Sequence, residues 1–152
     1  MREILFRGKR RDTGEWVEGY FLQDTEFYGR TDEHAYIVNH KHPSSCFGSD
    51  IYYEVDPETV SQFTGRTDKN RKKVFEGDIL QLYTIWENGT VEPGWIVYVH
   101  WNDNDQCYVL CVKDGAIADD FGNLGRPEYY EVIGNIHDNP ELIGERGRQW
   151  LD

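Results

Sequence analysis

From Trp95 to Trp101 the chain reads Trp-Ile-Val-Tyr-Val-His-Trp. The polar run Asn102–Asp105 then turns it back into Gln-Cys-Tyr-Val-Leu-Cys-Val over residues 106–112. Two apolar, β-branched and aromatic runs joined by a short polar turn predict an antiparallel hairpin. Trp95, Val97, Val99 and Trp101 fall on one face, because side chains alternate along a strand. Both strands are apolar on both faces. One face is therefore expected on the core and the other against a second layer.

The same period-two alternation recurs along the chain, while helical periodicity is scarce. Ile4–Arg7 and Glu15–Phe21 form a first hairpin candidate around Asp12-Thr13-Gly14, residues with turn chemistry. Ala35–Val38, Ile51–Val55, Thr59–Phe63, Val74–Phe75, Ile79–Tyr83 and Tyr129–Ile136 are further strand candidates. Between them Gln23–Glu33, His40–Asp50, Gly65–Lys73 and Lys113–Arg126 read as polar connections or loops. Asp56-Pro57 marks a turn or a helix start, and Asn139 before Pro140 caps a short helix ending near Gly144. Many short strands with Gly-rich turns predict a mostly β protein, a barrel or a sandwich. The 152 residues fit one domain, 1–152. A faint boundary near Val55–Glu58 would separate sub-domains 1–55 and 56–152.

Composition decides between a folded and a disordered chain. Mean hydropathy is low, yet aromatics make up 14%, and disordered chains are poor in them. A folded protein with a very polar surface is expected. The formal net charge is -12. Such a field opposes nucleic acids and anionic membranes and favours solubility or a basic partner. No apolar stretch approaches the ~20 residues of a membrane span, and no secretory leader opens the sequence. The three cysteines are Cys46, Cys107 and Cys111. Cys107 and Cys111 lie ~13 Å apart on a regular strand, beyond the about 7 Å that a disulfide spans. Reduced thiols in a cytoplasm are expected.

Three stretches together carry a resemblance. The first is Val55-Asp56-Pro57-Glu58-Thr59-Val60-Ser61-Gln62-Phe63-Thr64-Gly65. The second is Asp68-Lys69-Asn70 with Lys73-Val74-Phe75-Glu76-Gly77-Asp78-Ile79-Leu80. The third is Val132-Ile133-Gly134-Asn135-Ile136-His137-Asp138-Asn139-Pro140-Glu141-Leu142. They resemble the YopX family of phage and prophage proteins. The opening Phe6-Arg7-Gly8-Lys9 and Trp16-Val17-Glu18-Gly19 fit too, so the resemblance covers nearly the whole chain. It implies short antiparallel strands, an SH3-like barrel in the C-terminal part, a smaller N-terminal β sub-domain and a bacterial host cytoplasm. It implies no activity and carries over no catalytic or ligand residue. One departure matters. The family pattern has glycine after Asp68-Lys69-Asn70, where this chain has Arg71. Glycine supplies positive φ, so an altered turn is expected, with Asn70 taking the left-handed position. Glu76-Gly77-Asp78 reads as structural, with Asp78 bonding backbone amides at the strand entry.

The candidate sites are each weighed against a plainer role. His40-Lys41-His42 with Cys46 is metal-like, but a closed zinc site needs four ligands, and a solvated loop is expected. Asp103-Asn104-Asp105 lacks the glycine and late glutamate of a calcium loop and reads as a hairpin turn. Asp119-Asp120 is expected at the surface rather than as an acid/base couple. Cys107 or Cys111 with His100 or His137 could make a nucleophile, yet cysteines in an apolar strand are expected to pack as small hydrophobes. No phosphate-binding or nucleophile-elbow motif occurs. Two basic clusters interrupt the acidic background: Arg7, Lys9, Arg10 and Arg11, and Arg66, Lys69, Arg71, Lys72 and Lys73. With Trp86 they form a candidate binding surface, and solvated hairpins are the plainer role. Core packing is expected for Trp95 and Trp101.

These features predict a non-enzymatic accessory protein without metal or cofactor, acting by protein–protein binding. The partner is an unknown host or phage protein, the chain is expected to form a homo-oligomer, and no membrane is involved. Two alternatives stay open: an acidic decoy of a nucleic-acid-binding protein, and a nucleic-acid binder using the two basic hairpins.

Overall fold

The computed structural model describes residues 1–24, 34–39 and 51–144. The chain divides after Phe63 into two compact units. In the first, β1 (Phe6–Lys9), β2 (Trp16–Asp24), β3 (His34–Asn39) and β4 (Ile51–Val55) precede the start of β5 (Ser61–Thr67). Their order is β4-β3-β2-β1-β5, and the pairs are antiparallel. The expected β1–β2 hairpin forms, with the Gly14 amide donating to the Arg10 carbonyl at 2.9 Å. Register aligns Phe21, Ile37 and Tyr53 across three strands. On that face Ala35, Ile37 and Val55 are buried, packed by Phe6, Val17, Phe21 and Val60. Alternation sends Tyr20, Leu22 and Tyr52 to the other face, where all three are exposed.

The Val55–Glu58 stretch belongs to this unit. Asp56 caps a single 3-10 turn at Pro57–Thr59, accepting the Glu58 amide. Its own amide donates to the Lys9 carbonyl at 2.9 Å, and Thr59 Oγ1 accepts the Lys9 amide at 2.9 Å. These bonds hold the stretch on β1.

The second unit continues β5 and adds β6 (Lys73–Phe75), β7 (Asp78–Ile85), β8 (Val91–Asn102), β9 (Cys107–Cys111), β10 (Ile117–Asp120) and β11 (Tyr130–Asn135). Five of them form an antiparallel sheet in the order β10-β9-β8-β7-β11. The β8–β9 hairpin is the one expected from residues 95–112. Val97, Val99 and Leu110 join Leu80, Val74, Phe121, Tyr130 and Val132 in the core. The opposite face is covered as well at Ile79, Val109 and Cys111, each no more than 1% exposed. Trp95 packs against the core, and Trp101 sets its ring edge-on to Tyr108 at 5.0 Å.

The mostly β class holds, but the expected barrel is not closed. β10 and β11 end the sheet instead of pairing, and each edge has a physical reason. β10 has four exposed residues, a bulge and two aspartates, features that blunt an edge. The outer edge of β11 is occupied by a loop. Asp68 Oδ2 accepts the Val132 amide at 2.9 Å, and the Lys69 amide donates to the Tyr130 carbonyl at 3.2 Å.

Two expected connections turn out to be structured. Gly65, Arg66 and Thr67 extend β5. The Lys113–Arg126 segment contains β10 and a 3-10 turn at Phe121–Leu124, anchored by Phe121 at 2% exposure. The expected C-terminal helix is a 3-10 turn, Pro140–Gly144. The His40–Asp50 segment, with its metal-like His40, His42 and Cys46, lies outside the described residues.

Candidate functional site

The β7–β8 pairing steps from Gln81↔Ile96 to Tyr83↔Pro93. Gly94 and Trp95 therefore face the single residue Leu82, which is a β-bulge. Pro93 stands beside the bulge, opposite Tyr83, and strand prolines are confined to edges and bulges. The Gln81 side chain holds the irregularity, its amide donating to the Leu82 and Gly94 carbonyls, both at 2.9 Å. Gln81 is only 5% exposed, so those bonds satisfy carbonyls that the ladder misses. Beyond the bulge the arm continues to the exposed Ile85, Trp86 and Val91.

An open groove of about 400 Å³ lies beside this bulge. Leu82, Thr84, Gly94 and Trp95 line it from the arm, and Asn123, Leu124 and Tyr129 from the two 3-10 turns at Phe121–Leu124 and Pro127–Tyr129. Its size is at the lower end for ligand sites, and its aromatic and aliphatic lining suits an apolar anchor.

Tyr83 also lines the groove and leads to a polar cluster. Its hydroxyl donates to Glu131 Oε2 at 2.8 Å, where the Lys69 ammonium also binds at 2.9 Å. Asn70 Nδ2 donates to Glu131 Oε1 at 3.0 Å, and Lys69 Nζ lies 4.2 Å from the Tyr83 ring centre. The hydrogen bond from Lys69 holds the Glu131 carboxyl below its ordinary value, and the same bond holds Lys69 above its own. Burial pushes the Tyr83 phenol up. These bonds fasten β7 and the Lys69–Asn70 loop to β11.

The first basic cluster is consumed locally. Arg7 is buried, bonded to Ser61 Oγ at 3.2 Å and stacked 4.6 Å from the Trp16 ring centre, with Lys9 Nζ at 5.8 Å. Arg10 forms a two-point pair with Asp12 at 2.6 and 2.9 Å, and Arg11 faces Glu54 at 3.7 Å. In the second, Arg66 reaches the Gly122 and Gly125 carbonyls and Lys69 holds Glu131. Arg71 and Lys72 are exposed on the loop beside β11, and Lys73 begins β6. Trp86 is exposed on the arm and donates from Nε1 to Glu92 at 3.1 Å.

Burial raises the Cys107 thiol, with Asp120 and Asp105 adding to it, and burial raises Cys111. His100 is paired across from Val109, between the two cysteines, and its ring reaches Glu76 at 4.0 Å. His137 lies in the Asn135 turn, its amide donating to Asn135 Oδ1. Asp103–Asp105 forms the hairpin turn, as expected, and Asp119 binds Asn123 Nδ2 at 2.7 Å. Among the described residues no group of three or more His, Cys, Asp or Glu side chains could hold a metal ion. No helix among them is long and apolar enough to cross a membrane.

Of the groove residues, only Trp95 stands out in the sequence, as a residue expected in the core. The signal for the rest was Pro93-Gly94 inside a strand run, a combination that marks a bulge.

A family model described as YopX protein matches residues 5–144. The chain belongs to the YopX protein family. Among solved structures, protein EF1440 from Enterococcus faecalis aligns with 22% identity over 94% of this chain and 99% of that one, with a TM-score of 0.49. No curated protein matches.

In this YopX chain the motif residues build backbone geometry. Asp78 Oδ2 accepts the Phe75 amide at 2.8 Å, as expected. Gly77 takes φ 82°, and its amide and carbonyl bond Val99 and Ile136. Gly134 leaves room for Asn139, whose Oδ1 would lie 2.5 Å from a β-carbon there. The turn after Asp68-Lys69-Asn70 differs from expectation: Arg71, not Asn70, takes the left-handed position, at φ 63°. A β-carbon there costs about 1–2 kcal/mol, partly offset by the entropy that glycine loses on folding. Arg71→Gly is therefore expected to raise stability by about 0.5–1 kcal/mol, read as a higher urea midpoint with unchanged slope. A lower midpoint would show that the arginine side chain holds the turn.

Proposed function

We propose that this YopX-family chain is a non-enzymatic accessory protein of a phage or prophage that acts by binding a protein partner through the groove of its second unit. The observation that carries this reading is the bulge-formed groove itself. It sets Trp95, Tyr129, Leu82 and Leu124 around an open apolar space. The family match supports the setting. The pairing of Lys69, Tyr83 and Glu131 with one another beside the groove supports binding over catalysis. A bacterial cytoplasm suits the free thiols of Cys107 and Cys111.

The test is affinity capture from nuclease-treated bacterial lysate, with and without phage infection, using the wild-type chain and Thr84→Arg. Thr84 lines the groove without belonging to the core, so the variant alters the surface alone. A protein recovered saturably by the wild type and lost with Thr84→Arg supports the reading. Equal recovery by both chains overturns it.

Self-association runs through the first unit in this reading. Both edges of the second unit's sheet are blunted, whereas Tyr20, Leu22 and Tyr52 are 58%, 47% and 56% exposed on one sheet face. Light scattering of the full chain is expected to show an oligomer that Tyr20→Glu reduces to a monomer. A wild-type monomer at working concentration sinks this part.

A further inference from the structure

The groove has acidic neighbours as well as an apolar lining. Glu92 is paired across the arm from the groove residue Thr84. Asp119 is bonded to the groove residue Asn123. Glu128 directly precedes the groove residue Tyr129 and is exposed. Near them Arg66 is drawn onto the Gly122 and Gly125 carbonyls and the Phe121 ring, 5.1 Å from its centre, which leaves Arg126 as the exposed cation of that turn. Lys69 and Glu131 cancel each other. Three carboxylates thus stand next to residues that line the groove, in a chain of formal charge -12.

Three successive residues, Leu82, Tyr83 and Thr84, line the groove along β7. Three strand residues span about 10 Å, which about three residues of extended chain would match. Trp95 and Tyr129 also line the groove, and aromatic residues with a polar tip are common anchors of recognition surfaces.

We infer that the groove takes an extended protein segment in which one apolar side chain seats among Leu82, Trp95, Leu124 and Tyr129 and flanking Lys or Arg side chains meet Glu92, Asp119 and Glu128. This rests on the proposed binding function and names its partner chemistry. A nucleic acid is disfavoured by the same carboxylates, since phosphate binding requires cations to release counterions.

The experiment uses the full chain, labelled with ¹⁵N, and three short fluorescein-labelled peptides. In the first, Leu alternates with Arg. In the second, Leu alternates with Glu. In the third, Ser replaces Leu and Arg is kept. Binding is read by fluorescence anisotropy, and its place by shifts of the Trp95 indole and the Leu124 and Tyr129 amides. The Leu/Arg peptide is expected to bind, to shift those signals and to weaken as salt rises. Glu92→Gln with Glu128→Gln should weaken it about fivefold. Thr84→Arg should weaken it about tenfold or more, and Thr84→Glu should tighten it.

If the Leu/Glu peptide shifts the groove signals as strongly, the charge rule is overturned while the binding function stands. If the Ser/Arg peptide binds as tightly as Leu/Arg, the apolar anchor is overturned. If no peptide moves the groove signals, the inference is overturned, and the Thr84→Arg capture result then decides the binding function separately.

Discussion

Asp68→Ala is expected to destabilise the protein by about 4 kcal/mol, a large part of the 5–15 kcal/mol that a domain of this kind has. Asp68 is 2% exposed, and its carboxylate serves three backbone amides. Oδ1 accepts from Asn70 at 2.8 Å and from Lys72 at 2.9 Å, which closes the loop. Oδ2 accepts from Val132 at 2.9 Å, which fixes the loop on β11. Removing the acceptor leaves the buried Val132 N–H unsatisfied, at about 1–3 kcal/mol, and releases two further charge-assisted bonds. Asp68→Asn should fall between wild type and alanine. It keeps one oxygen but turns an NH₂ group toward one of the donors it must satisfy. Urea unfolding followed by tryptophan fluorescence reads both variants. A loss under about 1 kcal/mol for Asp68→Ala would mean that water replaces the carboxylate at little cost and that the β11 edge is not sealed by this loop.

The same residue shows what the sequence could and could not reveal. Strand positions were legible because burial on one or both faces leaves an alternating or continuous apolar imprint. Trp95–Trp101 and residues 106–112 carried it most clearly. β10 left no such imprint. Its four residues are all exposed, so Ile117-Ala118-Asp119-Asp120 reads as loop although it is hydrogen-bonded to β9. Barrel closure was not legible either. It depends on whether two edges can meet, and one side-chain oxygen, Asp68 Oδ2, occupies the edge that closure would need. The turn at Arg71 was misjudged because Asn visits the left-handed region more readily than Arg, whereas here the loop bonds to Asp68 decide which residue adopts it.

The candidate site was even less visible. A groove made by a bulge has no periodic signature, and its lining comes from β7, β8 and two 3-10 turns far apart in sequence. The basic clusters, by contrast, were conspicuous in the sequence and are largely spent on contacts within the chain. Arg7 sits on Trp16 and Ser61, Arg10 on Asp12, and Arg66 on two carbonyls. Charge runs are visible in a sequence whether or not the fold pairs them, so the sequence alone does not separate Arg10, held by Asp12, from the exposed Arg71 and Lys72.

Gly19→Ala is expected to cost about 3 kcal/mol through overpacking alone. Gly19 lies in β2, paired with Phe6 of β1, and carries no positive φ. Its constraint is space. A β-carbon would stand 2.2 Å from the Val38 carbonyl oxygen, 2.9 Å from its carbon and 3.0 Å from Ile37 Cγ2. The first two are backbone atoms of β3 and cannot rotate aside. Ile37 is fully buried in the core that Phe6, Val17 and Phe21 help to pack, so it has nowhere to move. The sheet must open between β2 and β3, which strains the Tyr20↔Val38 and Phe21↔Ile37 pairs. The exposed Tyr20 and Leu22 would shift with β2, so the same change should also weaken the self-association proposed for that face. A lower urea midpoint with slope retained, together with a smaller oligomer fraction, is the expected result. A midpoint within error of wild type would show that β2 and β3 stand further apart than the register implies, and would remove the packing basis for the Tyr20–Leu22–Tyr52 face.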